Sequence, residues 1–239
     1  MVIQAMKFIS GIIESLLHLL YPQVCEGCGS DALPSKSCLC VRCIHNLPAT
    51  GFEKNAFNPI EKMLIGRIPF EKATAQFYFT KEGLMQTLMH RFKYRGNLVL
   101  GKQLGLLMGI QLSESNRFDN IDALVPLPLF ENKERQRGYN QSTVLCKAIA
   151  EVMHLPIIED AVIRPVQTDT QTKKSRIERW KNMEGKFQLV DGSKIFGKHI
   201  LLVDDVITTG ATIESCATAL LEGSNVKVSI AALCMASYV

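Results

Sequence analysis

Two adjacent carboxylates, Asp204 and Asp205, are followed by Val206 and Ile207 and then by Thr208, Thr209, Gly210, Ala211 and Thr212. Residue types in that order could hold a phosphorylated ligand. Small residues let a backbone close around an anion, and the unpaired N–H groups of a following helical turn would point at it. A second chemical cluster lies near the start, where Cys25, Cys28, Cys38, Cys40 and Cys43 crowd among residues too polar for a core, such as Glu26, Ser30, Asp31 and Lys36. The pairs Cys25/Cys28 and Cys40/Cys43 are each CxxC, with eleven residues between them. Two such pairs can point four thiolates at one tetrahedral ion, leaving no open coordination position, so the spacing predicts a structural zinc knuckle. Cys38 is a spare able to replace Cys40, and a redox-active pair or a metal-free module are the alternatives.

Other stretches carry positive charge. Lys133, Arg135 and Arg137 lead into Gly138, Tyr139, Asn140 and Gln141, and residues 164–186 hold seven Lys/Arg against three acids. That last stretch lacks buried-type periodicity. A loop of this length is uncommon without a function, and a lid is the usual one. The run His90, Arg91, Phe92, Lys93, Tyr94, Arg95 fits either a nucleic-acid strand stacked on its aromatics or the solvated face of a helix end. Residues 96–102 imitate a P-loop. Gln103 stands where the Mg²⁺-binding hydroxyl belongs, and the apolar interior makes a poor anion nest, which argues against a nucleotide triphosphatase.

The elements that must position these groups follow from periodicity. Residues 200–203 are a short apolar run with the length and branching of a strand buried on both faces, and residues 213–221 read as a helix. Residues 121–125, ended by Pro126, give a second buried strand. Further strands are expected at 73–79, 161–164, 187–190 and 226–233, the last closing the sheet. Helices are expected at 3–20, 84–92 and 143–153. The first of these is a docked helix, or a membrane-surface or partner-binding one. The pattern fades between residues 48 and 69, where Pro59, Gly66 and Pro69 mark a boundary. The expected organisation is a helix and zinc module over 1–60 and an α/β domain over 70–239, with a parallel sheet flanked by helices.

The 239 residues suffice for this plan, and a net charge of +4 decides little about partners. No low-complexity tract or solenoid repeat is visible. Lys7 is the lone early positive charge and Glu14 interrupts the apolar run, which argues against a signal peptide and a membrane span. Clustered cysteines without an export signal then suggest metal ligation in a cytoplasmic protein.

From residue 200 to residue 212 the chain closely resembles the signature of type I phosphoribosyltransferases, which bind phosphoribosyl pyrophosphate (PRPP). The whole chain resembles the ComF family within that group. The resemblance rests on the four-cysteine knuckle, on Phe92-Lys93-Tyr94-Arg95-Gly96, on Val125-Pro126-Leu127-Pro128 and on residues 135–141. Thr170-Gln171-Thr172 with Arg176, Arg179 and Asn182 completes it. It implies a phosphoribosyltransferase-like domain in competence, DNA uptake or the use of external DNA. Val206 and Thr208, Thr209, Gly210, Ala211 and Thr212 would then bind PRPP through its 5-phosphate, and Asp204 and Asp205 would take the ribose hydroxyls and serve catalysis. Arg135 and Arg137 would meet the pyrophosphate, over which Lys173, Lys174, Arg176 and Arg179 would close. Mg²⁺ would arrive with the pyrophosphate. Single-stranded DNA and a competence helicase-type protein are implied partners. Two alternatives stay open, an inactive DNA-binding competence factor and a nucleobase salvage enzyme. An amidotransferase is disfavoured, since the first cysteine is Cys25.

Overall fold

A computed structural model describes residues 23–165 and 187–236. The helix expected over 3–20 and the basic residues Lys173, Lys174, Arg176 and Arg179 lie outside the described residues. The chain divides into two compact units, Met1–Leu47 and Pro48–Val239.

In the first unit, residues 23–40 run through tight turns into a short helix, α1 (Val41–His45). Gly29 donates its N–H to the Cys25 carbonyl at 2.9 Å and takes a φ of 75°, a backbone that side chains rarely adopt. That turn brings Cys28 back toward Cys25.

The second unit begins in the stretch read as a boundary. Residues 48–69 contain a 3-10 turn at Phe52–Lys54 and helix α2 (Pro59–Leu64). The Asn58 side chain caps α2 by accepting from the Ile60 and Glu61 N–H groups, and its Nδ2 donates to the Ala73 carbonyl at 2.8 Å. Ile60 and Leu64 are wholly buried in the core. Three apolar side chains on a six-residue helix give too short a pattern to be read from sequence.

Strand β1 (Ala73–Phe79) leads to helices α3 (Leu84–Tyr94) and α4 (Leu98–Glu114), and strand β2 (Ala123–Pro126) to α5 (Glu131–Arg137) and α6 (Gln141–Met153). After β3 (Val162–Ile163) and β4 (Gln188–Leu189) come β5 (His199–Ile207), α7 (Ala211–Leu221) and β6 (Lys227–Ala236). The main sheet is wholly parallel, in the order β1-β6-β5-β2. Its strands are buried on both faces, which explains their continuous apolar runs. Three expectations change here. β6 does not close the sheet but lies between β1 and β5, as seven consecutive buried residues demand. β3 and β4 pair antiparallel with each other in a separate ribbon. The basic loop before α6 contains α5, whose lack of any buried residue left no periodicity to detect.

The false P-loop has a packing role. Gly101, Gly105 and Gly109 form a stripe on α4. A Cβ at Gly105 would stand 2.7 Å from the Ala148 Cβ and 3.2 Å from the Leu145 carbonyl oxygen of α6, and one at Gly101 would stand 2.2 Å from the Phe92 ring. The stripe lets α4 and α6 approach closely. Gly105→Leu is therefore expected to destabilise the chain by about 2–3 kcal/mol through overpacking. A lowered urea midpoint at unchanged slope is the measurement.

Candidate functional site

Strands β2 and β5 are neighbours, and their carboxyl ends open onto one cavity of about 180 Å³. Crevices outside the carboxyl ends of parallel strands are where open α/β sheets bind ligands. Two helix N-termini reach this cavity. Gln141 and Ser142 of the first turn of α6 line it, as does Thr212 of the first turn of α7. Asn140 caps α6 by accepting from the Ser142 N–H, and its Nδ2 donates to the Leu127 carbonyl at 3.0 Å, tying that helix to the end of β2. The positive ends of two helices at one cavity favour an anionic ligand.

Asp204 and Asp205 both line the cavity although β5 remains a strand through Ile207. Alternation would send them to opposite faces; at the end of the strand both reach the opening. Asp204 is 8% exposed and accepts from the Asp205 N–H at 2.7 Å and from Ser142 Oγ at 3.5 Å. Asp205 pairs with Lys93 of α3 at 2.9 Å. Burial, joined by the charge of Asp205, raises the Asp204 carboxyl to about 7.

That shift has a sign. Between about pH 4 and pH 7 the folded chain holds a proton on Asp204 that the unfolded chain has lost, so this residue's contribution to stability falls as pH rises through that window. Asp204→Asn is expected to be more stable than the parent at pH 8, by on the order of 2–4 kcal/mol, with the gap closing toward pH 4. Urea unfolding across that range is the check.

The cations around the cavity are Lys93, Lys133, Arg137 and Arg164. Arg137 donates to Gln141 Oε1 at 2.7 Å and lies 5.3 Å over the Tyr94 ring. Tyr139 donates its hydroxyl to the Phe92 carbonyl, fixing the end of α3 that presents Lys93. A second cavity, of about 310 Å³, shares Lys93, Lys133 and Arg137 and adds Tyr94, Gly96 and Gln136.

Of the residues expected at the site, Asp204, Asp205, Val206, Thr212 and Arg137 line the cavity together. Thr208, Thr209 and Gly210 form the link from β5 to α7, and neither they nor Ala211, the first residue of α7, line the cavity. Gly210 is the N-cap of α7 at a φ of 77°, and a Cβ there would stand 3.1 Å from Met63 Sδ. Arg67 holds this link, donating to the Thr209 carbonyl at 2.7 Å and to Glu214. Arg135 does not join the site: it is exposed on α5 and pairs with Glu131, one turn away. Lys93, Asn140, Gln141, Ser142 and Arg164 were not assigned to it from sequence. The polar pair Gln141 and Ser142 opening an apolar helix was an available signal for a helix N-terminus. Of the phenylalanine and tyrosine rings in the aromatic run, Phe92 is wholly buried and Tyr94 is exposed, so Phe92 is not open to stack on a base.

In the first unit, the Sγ atoms of Cys25, Cys28, Cys40 and Cys43 lie within 4.8 Å of one another, and Cys38 stays outside the group. Cys25 Sγ accepts N–H groups from Gly27 at 3.4 Å and Cys40 at 3.2 Å. Burial opposes its ionisation, yet the backbone N–H groups of Cys28, Cys40 and Gly27 bring the thiol down to about 6. Four converging sulfurs, with N–H groups aimed at one of them, fit a tetrahedral thiolate-bound ion.

A parallel sheet holds adjacent carboxylates at its strand ends beside two helix N-termini, and residues 140–237 match the phosphoribosyl transferase domain family. The chain is 28% identical over 214 residues to DNA utilization protein YhgH of Escherichia coli, covering 88% of this chain and 89% of that protein. Competence protein ComFC of Bacillus subtilis is 30% identical over 149 residues, covering 60% of this chain and 56% of that protein. Competence protein F of Haemophilus influenzae is 29% identical over 133 residues, covering 54% and 58% respectively. The chain is a homologue of these DNA utilization and competence proteins. Among the described residues, no helix is long and apolar enough to cross a membrane.

Proposed function

We propose that the second unit binds PRPP, or a closely related ribose phosphate, and that the protein serves the uptake or use of external DNA. The observation that carries the ligand is the convergence of Asp204 and Asp205 with the first turns of α6 and α7 on one cavity. The biological setting follows the names of the relatives, DNA utilization protein YhgH and competence proteins F and ComFC.

In a transfer at this site, the bond from the anomeric carbon to the pyrophosphate oxygen breaks and pyrophosphate leaves with the electron pair. An acceptor lone pair forms the new bond at that carbon, and the acceptor's proton passes to water or a nearby base. The sugar is cationic in between. Asp204 and Asp205 hold its hydroxyls and offset that charge, while Thr212 and the helix dipole of α7 hold the 5-phosphate, with Ala211 and the link 208–210 closing on it from beside the cavity. Arg137 and Lys133 face the leaving group. Mg²⁺ bound to the pyrophosphate would supply further charge neutralisation. Cys25, Cys28, Cys40 and Cys43 would hold a structural zinc ion.

The test is incubation with PRPP and Mg²⁺ against bases, amines and oligonucleotides, following pyrophosphate release alongside PRPP binding by calorimetry. No PRPP binding defeats the proposal; binding without release leaves a ligand-binding protein. The second cavity favours a second reading, in which single-stranded DNA is held without chemistry. Its charged lining is all cationic, Lys93, Lys133 and Arg137, beside exposed Tyr94. Oligonucleotide binding that weakens steeply with salt would support that reading, and its absence would remove it.

A further inference from the structure

Arg164 lines the cavity from a different part of the fold, one residue past the end of β3, and carries no role in the reading above. Its guanidinium lies 3.6 Å from the centroid of the Phe130 ring and 5.0 Å from that of Phe187. Two aromatic faces against one planar cation fix its plane and leave the in-plane N–H edge as its means of bonding. Its Nε is buried without a hydrogen-bond partner, and no ion pair among the described residues involves it. Asp204 is near enough to act on it through space but is not bonded to it. A half-buried cation with an orphan donor is costly unless a ligand completes it. Leu127 and Leu129 add apolar surface to the same cavity.

We propose that Arg164 is the acceptor-recognition residue of this site and that the acceptor is a small planar molecule bearing a carboxylate. The inference rests on the PRPP reading. The groups suited to the sugar phosphate stand on β5, α6 and α7, whereas Arg164 stands just past β3 against two aromatic rings and faces the same cavity. A forked guanidinium edge matches a carboxylate with two parallel N–H···O bonds, and the apolar surface suits the flat body that carries it. A neutral ring of the same size would leave the buried donor unpaired, which is how polar sites reject close analogues.

The test titrates the full-length chain, saturated with PRPP and Mg²⁺, with three matched pairs: benzoate and benzamide, nicotinate and nicotinamide, orotate and uracil. At least one acid is expected to bind tenfold or more tightly than its neutral partner. Arg164→Gln should erase that preference and leave PRPP affinity within twofold. Arg164→Lys keeps the charge but loses the planar fork, and should also lose most of the preference in a chain with native circular dichroism. Equal binding of acids and neutral partners overturns the proposal, as does a failure of all three acids to bind. A large loss of PRPP affinity in Arg164→Gln would move the residue to the sugar-phosphate side and overturn it too. If the parent chain does not bind PRPP, the site reading falls first and this inference with it.

Discussion

The double variant Asp204→Asn/Asp205→Asn is expected to bind PRPP at least a hundredfold more weakly than the parent while remaining folded. Each carboxylate would accept a charge-assisted hydrogen bond from a ribose hydroxyl, and such bonds contribute about 1.5–3 kcal/mol each. An amide keeps one acceptor oxygen but loses the charge, and its NH₂ group opposes a hydroxyl donor in one orientation. The loss also reaches Lys93, which forfeits its 2.9 Å partner at Asp205 and is left as an unpaired cation beside the cavity. Folding should survive because the Asp204 carboxyl is held near 7 by burial, so its ionised form is a strain on the folded state that the amide relieves. Binding lost with stability kept is the mark of residues selected for a ligand rather than for the core. The same shift predicts that PRPP affinity in the parent rises with pH through about 7, as Asp204 ionises. Calorimetry at pH 8 measures the variant. Arg135→Ala is the control, since that residue pairs with Glu131 on the exposed side of α5. Unchanged affinity in the double variant would remove Asp204 and Asp205 from the site.

The strand–turn–helix segment around Asp204 and Asp205 was legible because it obeys local rules: the apolar run of β5, two carboxylates, a glycine and the first turn of a helix lie in one continuous segment. The zinc-type cluster was legible for the same reason. Sulfur spacing even left the choice between Cys38 and Cys40 open, and geometry resolves it by placing Cys40 in the group. What escaped was non-local. Lys93 lies 112 positions from Asp205, and only the packing of α3 brings the two together. In sequence Arg164 is one more charge in a basic stretch, because nothing there shows two phenylalanines, one on either side of it in the chain, converging on its guanidinium. The position of β6 escaped for a related reason. Continuous burial says that a strand is interior, but crossovers decide which strands flank it. Arg135 and Arg137 show the limit most plainly. They sit two residues apart with the same chemistry, and the turn of α5 sends one to the cavity and the other away from it.

Removal of metal from the first unit is expected to unfold its described residues while leaving the second unit's unfolding transition in place. Apart from Cys25, Cys40 and Cys43, few side chains in residues 23–47 are buried, chiefly Leu39 and Leu47. A segment this small cannot offset its conformational entropy with so little apolar area. A tetrahedral thiolate site can, since structural zinc contributes on the order of 10–16 kcal/mol in comparable peptides. The full-length chain should therefore carry one zinc per molecule by elemental analysis. Cys25→Ser and Cys28→Ser should lose it, and protease cuts within residues 23–47 should become fast. Cys38→Ser should keep the metal, because Cys38 stands outside the four converging sulfurs. The redox alternative makes the opposite prediction. Cys28 and Cys40 already lie with their sulfurs 3.7 Å apart, so a metal-free chain treated with mild oxidant would form a disulfide across the two CxxC pairs. A chain purified with one zinc resists that oxidation until a chelator is added, because the thiolate lone pairs are committed to the ion. Metal retained in Cys25→Ser, or lost in Cys38→Ser, would overturn the four-cysteine assignment.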